Sequence, residues 1–208
     1  MKSTAVICYS SAQASAELQG LIERLTGLIG GQAEVFNLRT MPAERLASCG
    51  IILPLLIQKG QLWKRLEAAG RPVSAPLLSS RQDCLFLASA VNRKCSEKSG
   101  RSWLLAAHGS EREEDNAQLV FLDSLLRKDI MLRTLKADLS DIDAKEVTVL
   151  PLLLTAGRHL DADIRKGIIP QLEERGITAY LHSQSFLSMF ESETAQLYYE
   201  HFLKAAGS

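Results

Sequence analysis

Cysteine is scarce in this sequence of 208 residues, and its spacing excludes two classes of protein. The four cysteines, Cys8, Cys49, Cys84 and Cys95, are scattered over the first half and form no CxxC pair. The cysteines of a disulfide-stapled secreted domain or of a structural zinc site are clustered. We therefore expect free thiols, mostly in the core, in a reducing cytoplasm.

An excess of charge and long hydrophobic runs are also missing. The 24 basic residues equal the 24 acidic ones, so no global field would hold nucleic acid or an anionic membrane surface. The longest apolar stretches, such as residues 51–57, are too short to cross a bilayer, and the apolar run after Lys2 is too short for a signal peptide. We expect a cytoplasmic protein without nucleic-acid or membrane partners, in which an anionic ligand is bound by local cations.

The chain contains the same order of predicted elements twice. Residues 51–60 match residues 148–157 in their apolar pattern and in the positions of proline and glycine. Such an internal repeat indicates the architecture before single helices and strands are assigned. Polar, glycine-containing residues at 97–101 have the composition of a linker. The predicted strands are 5–8, 34–38, 51–57 and 73–78 in the first half, and 103–107, 130–135, 148–154 and 177–183 in the second.

Short apolar strands that alternate with amphipathic helices indicate βαβ units, and their right-handed crossovers produce parallel sheets covered by helices. The predicted fold class is α/β, with two similar small domains related by internal duplication. The predicted boundaries are residues 1–96 and residues 102–208. The alternative is a single continuous sheet whose halves resemble each other by chance.

Two histidines occupy positions where the halves differ. His108 follows the first strand of the second half, where the first half has Tyr9, and His159 stands where the first half has Leu62. Ligands of parallel α/β sheets bind beyond the carboxyl ends of the strands, and both histidines are predicted to lie there. A lone histidine is more often a surface or core residue, but two at one sheet edge favour a functional site.

The residues around these histidines resemble a known family. The triplet His108-Gly109-Ser110 follows an apolar strand, and the downstream residues follow the pattern P-x-x-L-x-x-G-x-H-x-x-x-D-I from Pro151 to Ile164. Together they resemble the sirohydrochlorin chelatases, which include cobaltochelatases of cobalamin synthesis and ferrochelatases of siroheme synthesis. The resemblance covers the second half directly and the first half only through the repeat. It implies a chelatase-like fold and a lyase that inserts a divalent metal.

The resemblance implies that His108 and His159 jointly deliver the metal and remove pyrrole protons, with neither role assigned to one of them. An imidazole with an ordinary pKa of about 6.5 is mostly neutral in the cytoplasm and can bind a first-row metal or accept a proton. The expected substrates are sirohydrochlorin and Co²⁺ or Fe²⁺, and the sequence does not separate these metals from Ni²⁺. No organic cofactor is expected, and the oligomeric state is left open.

Sirohydrochlorin carries eight carboxylates, so its binding cleft is expected to present cations that bind them, as arginine does by bidentate contacts. Some family members place a glutamate between the two histidines, and Asp138 is expected to replace it here. The first half, with Tyr9 and Ser10 at its loop, is expected to form the opposing wall. The candidate cations are Lys59, Lys64, Arg65, Arg112 and Arg158; the candidate substrate-binding residues are Tyr9, Ser10, Gly109, Ser110, Arg112, Gly157, Arg158 and Asp138.

Two other functions stay open at this stage. A noncatalytic tetrapyrrole or metal-binding carrier would keep the fold and the histidines without turnover, and the missing glutamate favours it. A small-molecule sensor of the periplasmic-binding type would also have two α/β halves, but it gives no reason for paired histidines. Ser110 is not predicted to be a nucleophile, because the chain contains no G-x-S-x-G elbow. His182 and His201 are expected to be structural or surface residues.

Overall fold

Two compact α/β units make up the chain in the computed structural model, and each contains one parallel sheet flanked by helices. This confirms the predicted fold class. None of the helices in the described part is long and apolar enough to cross a membrane. The first unit comprises Met1–Ser79 and Glu191–Ser208, and the second comprises Ser80–Phe190. The structure describes residues 5–11, 14–30, 33–95, 101–110, 112–154 and 159–207.

The first unit is built on a three-stranded parallel sheet of order β2-β1-β3. Its apolar strands pack against the buried faces of the helices, and Val6, Ile52 and Leu66 share one core cluster. Ser15 caps the first helix by accepting a hydrogen bond from the Leu18 N–H. The elements are β1 (Ala5–Tyr9), α1 (Ala16–Ile29), β2 (Ala33–Asn37), α2 (Ala43–Ser48), β3 (Ile51–Pro54) and α3 (Gln61–Glu67), with the second part of α7 (Phe186–Ala206).

The prediction of a fourth strand at residues 73–78 in this unit is wrong. Val73 and Leu78 form only isolated bridges to Ile52 and Gln58. Pro76 lies between them, and a proline has no N–H to donate to a sheet ladder. The short helix α2 was not predicted.

The second unit contains a four-stranded parallel sheet of order β5-β4-β6-β7. The side chains of Leu104, Val147 and Val149 are buried against Ile164 and Leu172 of the following helices. Its elements are α4 (Arg81–Lys94), β4 (Ser102–Ala107), a 3₁₀ helix (Glu113–Asn116), α5 (Ala117–Leu125), β5 (Ile130–Thr134), β6 (Glu146–Leu152), a π-helix (Leu160–Ile168), α6 (Ile169–Glu174), β7 (Thr178–Leu181) and the first residues of α7.

The two compact units meet in the chain between Ser79 and Ser80 and between Phe190 and Glu191. Helix α4 belongs to the second unit, where the Asn92 side chain donates to the Leu125 carbonyl and accepts from the Arg127 N–H. Helix α7 is interrupted at Phe190, and the part that follows belongs to the first unit. The boundary at 97–101 stays a prediction about the repeated sequence, since linker composition does not indicate which sheet a neighbouring helix packs against.

The registers of the two sheets agree at the repeated prolines. Cys8 of β1 pairs with Pro54 of β3, and Ala106 of β4 pairs with Pro151 of β6. In both sheets the first strand lies between the second and third strands. This common order and register support the internal duplication.

The same register corrects one expected equivalence. Because Cys8 and Ala106 are matched, the next residues, Tyr9 and Ala107, are matched as well. The residue equivalent to His108 is therefore Ser10, and the predicted match of Tyr9 with His108 is wrong by one position. A shift of one residue places a side chain on the opposite face of a strand, so the two aromatic rings are not counterparts.

Candidate active site

The structure brings the two predicted histidines into contact in the second unit. Strands β4 and β6 are neighbours, with Ala107 paired to Leu152, and His108 follows β4 directly. His159 is the N-cap residue of the π-helix that comes after β6. The centroids of the two imidazole rings are 4.4 Å apart and the rings are nearly perpendicular, at 86°.

Hydrogen bonds at Nδ1 determine which nitrogen of each ring carries the proton. His108 Nδ1 lies 2.8 Å from the Gly109 carbonyl oxygen, and His159 Nδ1 lies 2.6 Å from Oδ2 of Asp163. A carbonyl or carboxylate oxygen accepts, so both Nδ1 atoms donate and the lone pair of each neutral ring is on Nε2. Within the described part of the chain, neither Nε2 has a hydrogen-bond partner. Two nitrogen lone pairs are thus available in neighbouring rings.

The loop that carries His108 requires glycine at position 109 for two reasons. Gly109 has a φ of 70°, a conformation that residues with a side chain rarely adopt. A Cβ atom at this position would lie 2.6 Å from Cγ2 and 2.8 Å from Cβ of Thr134, the last residue of β5. The backbone after His108 therefore passes closer to the neighbouring strand than any other residue would allow.

Ser110 fixes the other end of this loop. The Asn116 side chain accepts a hydrogen bond from the Ser110 N–H at 2.6 Å and donates to the Ser110 carbonyl at 2.9 Å. The Ser110 hydroxyl donates to the carboxylate of Asp115 at 3.2 Å. These bonds hold Ser110 in the loop, and its predicted contact with the substrate stays a prediction. Sequence reasoning identified neither Asn116 nor Thr134 as part of the site, and the only available signal for Asn116 was its place at a helix start, where side-chain amides often bind loop backbone.

The helix that begins after His159 has a wider turn than an α-helix. The Ile169 N–H donates to the Ile164 carbonyl, five residues back, as in a π-helix. Ile164 and Ile168 are buried in the core of the unit. The side chains of His159 and Asp163 are each 40% exposed, so they lie on the accessible side of the same helix. π-helical turns are rare and occur often at functional sites.

Two other predicted site residues of this unit, Arg112 and Asp138, have polar partners of their own. Arg112 is exposed and forms an ion pair with Glu114 at 3.8 Å. The Asp138 carboxylate accepts hydrogen bonds from the hydroxyl and N–H of Ser140, which lower the pKa of Asp138. Its role in place of the family's glutamate stays a prediction. The predicted substrate-binding residues Gly157 and Arg158 lie outside the described residues.

The predicted site residues of the first unit are Tyr9, Ser10, Lys59, Lys64 and Arg65. Tyr9 ends β1 and Ser10 follows it, and both are half-buried. The Lys59 ammonium lies 4.3 Å from the centroid of the Trp63 ring. Lys64 and Arg65 lie near the end of α3. Their proposed contacts with a substrate stay predictions.

The remaining histidines have structural surroundings. The His182 ring packs against the Trp103 ring at 5.2 Å, and its Nδ1 accepts a hydrogen bond from the Gln184 N–H. His201 is buried, and its Nδ1 lies 3.2 Å from the Ala75 carbonyl. His201 is therefore a core residue of the first unit.

The histidine pair offers few ligands to a metal. Among the described residues, no group of three or more histidine, cysteine, aspartate or glutamate side chains could hold a metal ion. A first-row divalent ion bound by two Nε2 atoms would keep positions open for other ligands. The four cysteines are free and buried.

Comparisons with solved structures define the class of fold. SirB from Bacillus subtilis, solved with Fe³⁺, superposes with a TM-score of 0.64 at 14% identity, over 98% of this chain and 96% of SirB. DR2241 from Deinococcus radiodurans, a multi-domain protein described as similar to chelatases with two additional novel domains, has a TM-score of 0.59 at 14% identity. That alignment covers 96% of this chain and 54% of DR2241, so this chain spans about half of that protein. No family model and no curated protein sequence matches this chain. The chain has a chelatase-like α/β fold.

Proposed function

We propose that this protein is a metal chelatase, a lyase that inserts Co²⁺ or Fe²⁺ into sirohydrochlorin, without an organic cofactor. One observation carries the proposal: two imidazole rings in contact at the carboxyl ends of neighbouring strands, neither with a hydrogen-bond partner at Nε2 among the described residues. The chelatase-like fold and the two sequence motifs support it. We place the reaction in the cytoplasm, in cobalamin or siroheme synthesis.

The chemistry of metal insertion uses such a pair. The free tetrapyrrole loses two N–H protons as one divalent ion enters, so bases are required beside the metal. A neutral imidazole with its lone pair on Nε2 is able to bind the ion or to accept a proton. His108 and His159 share these two tasks, and their contact keeps the ion and the proton acceptor beside the same macrocycle.

Substrate binding is assigned to groups around this pair. Arg112 and Arg158 are proposed to bind carboxylates of sirohydrochlorin. Gly109 and Gly157 allow the backbone near each histidine to approach the macrocycle. Tyr9, Ser10 and Ser110 contribute the remaining loop surface, and Asp138 supplies a carboxylate. Neither nucleic acid nor a membrane is a proposed partner.

The first test removes each imidazole. His159→Ala and His108→Ala should each lower turnover about 10²- to 10⁴-fold, because a general base of this kind contributes that much, while sirohydrochlorin affinity changes little. The double variant should lose much less than the product of the single losses, since the two residues act together. Anaerobic absorbance assays with Co²⁺, Fe²⁺ and Ni²⁺ measure these rates.

His182→Ala provides the control, because its ring packs on Trp103 away from the histidine pair and should keep wild-type turnover. Full activity of His159→Ala with both Co²⁺ and Fe²⁺ would refute the shared mechanism.

A noncatalytic tetrapyrrole or metal-binding carrier is the second candidate. It is favoured by the hydrogen bonds of Asp138 to Ser140, which engage the carboxylate expected to replace the family's glutamate. A carrier would bind sirohydrochlorin or the metal and return both unchanged. The same absorbance assay separates the two functions, because only the chelatase forms metallated product in excess over protein.

A further inference from the structure

Asp163 differs from Asp161, the other carboxylate of the π-helix, in what it contacts. Its Oδ2 atom lies 2.6 Å from Nδ1 of His159, four residues before it. The neighbouring carboxylate, Asp161, pairs instead with Arg165 at 3.2 Å, also four residues along the chain. Two acidic residues in the same first turn thus have different partners, and only one of them reaches an imidazole.

The His159 ring has few other constraints in the described structure. It is 40% exposed, and within the part of the chain that the structure describes its Nε2 has no hydrogen-bond partner and its only other ring contact is with His108. An imidazole in this environment would rotate about its side-chain bonds and exchange between its two neutral tautomers. The Asp163 carboxylate limits both the rotation and the tautomer exchange, because an acceptor at Nδ1 fixes the plane of the ring and keeps the proton off Nε2.

His108 is held differently. Its Nδ1 donates to a neutral carbonyl, that of Gly109, which belongs to its own loop. The orientation of His108 therefore depends on the backbone, whereas that of His159 depends on one side chain. A single substitution can release His159 without altering the loop of His108.

We propose that Asp163 is a positioning residue, which holds His159 so that the Nε2 lone pair points toward the metal and the macrocycle. This inference rests on the proposed function for its consequence in catalysis, but the contact itself can be tested without turnover. Asp163 touches neither substrate and acts only through the imidazole. Because the pair is partly exposed, it contributes little to folding, and its loss should leave the protein folded.

The experiment compares Asp163→Ala with Asp161→Ala. Both variants remove one carboxylate from the first turn of the same helix, so they change its dipole interaction alike. The first readout is ¹⁵N NMR of the histidine rings at pH 8, which shows which nitrogen of His159 carries the proton. Wild type and Asp161→Ala should show the proton on Nδ1, and Asp163→Ala should shift His159 toward the Nε2-protonated form. Asp163→Asn retains an acceptor oxygen and should lie between them.

The second readout is binding of Co²⁺ alone, measured by calorimetry, together with turnover. Loss of a hydrogen-bond partner to a metal-binding histidine typically costs about 10- to 100-fold in affinity or activity. Asp163→Ala should lose that much in Co²⁺ affinity and in kcat with KM for sirohydrochlorin little changed, and Asp161→Ala should stay within about twofold of wild type.

The outcomes distinguish this inference from the proposed function. If Asp163→Ala keeps the wild-type tautomer of His159, the positioning role is wrong, whatever the activity. If wild-type protein fails to metallate sirohydrochlorin, the proposed function is wrong, while the tautomer comparison still decides the role of Asp163.

Discussion

Position 109 requires glycine, because both its backbone conformation and its contact with the neighbouring strand disfavour a Cβ atom. Its positive φ would cost another residue about 1 to 2 kcal/mol, and a Cβ would also overlap Thr134, which lies on the adjacent strand. The position of His108 depends on this close approach. The two costs can be separated by comparison with a second glycine.

Gly109→Ala and Gly176→Ala form a matched pair. Gly176 has a φ of 76° but no atom within 4 Å of the place that a Cβ would occupy, so its substitution carries only the conformational cost. We expect Gly109→Ala to lose about 1 to 3 kcal/mol more than Gly176→Ala, because overpacking adds to strain, and to lower turnover as His108 shifts. Urea unfolding of both variants measures the difference. Equal losses would show that Thr134 moves aside at little cost.

Part of the site was accessible from single residues in the sequence, and part was not. His108 and His159 stand out because the repeat has no histidine at the matching positions, and the strand order then brings them together. The Nδ1 contacts of both rings, the Thr134 contact and the Asn116 bonds depend on side-chain rotamers and on distances between elements. No residue pattern along the chain encodes these distances.

At the scale of elements, the shared spacing of proline and glycine revealed the internal repeat, but it did not predict every strand correctly. The expected strand at 73–78 is interrupted, because Pro76 has no N–H to donate to a sheet ladder. The position of this proline was already visible in the sequence. The helix that begins after His159 is a π-helix over Leu160–Ile168, since the Ile169 N–H donates to the Ile164 carbonyl, five residues back. Its apolar positions, Ile164, Ile168 and Leu172, have the spacing of an α-helix, so the pattern did not reveal the wider turn.

Asp123 joins helix α5 to strand β5, the strand that carries Thr134. Its carboxylate accepts from the Leu132 N–H at 2.7 Å and from Arg133 at 3.1 Å. Asp123→Ala leaves a backbone donor without its partner and should lower the free energy of unfolding by about 1 to 3 kcal/mol. Asp129→Ala removes an exposed ion pair with Arg127 and should cost less than about 1 kcal/mol. Chemical denaturation of both variants measures this, and similar losses would refute the anchoring role of Asp123.

At the scale of the whole molecule, the buried thiols should make the free energy of unfolding depend on pH in the alkaline range. Burial raises the pKa of Cys8 and Cys95 to about 12 and that of Cys84 to about 11, from an ordinary value of 9.0. An unfolded thiol loses its proton first, so this contribution is complete below pH 9 and is lost as the pH rises toward 11 to 12. Each thiol contributes at most about 1.4 kcal/mol per pH unit to the slope.

The free energy of unfolding should therefore fall between pH 9 and pH 11, and Cys95→Ala should show a shallower decline than wild type. Urea denaturation at a series of pH values under reducing conditions measures both slopes. Identical slopes would mean that Cys95 does not titrate on unfolding.

The assignment of helices to units leads to a prediction about fragments. In the second unit, α4 buries Cys84, Leu87 and Val91, and Asn92 adds bonds to the chain after α5. A fragment of residues 80–190 keeps these contacts. A fragment of residues 102–208, cut at the linker, loses them and retains the second part of α7, whose buried residues pack in the first unit.

Burial of one large aliphatic side chain contributes about 1.5 to 3 kcal/mol, so the loss of α4 removes a large share of the stability of a small domain. We expect the 80–190 fragment to unfold cooperatively in urea, with its histidine pair retained, and the 102–208 fragment to be less stable by at least about 3 kcal/mol or to aggregate through the exposed face of its sheet and α5. Circular dichroism during urea titration measures both. If the 102–208 fragment were as stable as the 80–190 fragment, the repeated sequence unit would also be the folding unit, and the boundary at 97–101 would be the physical one.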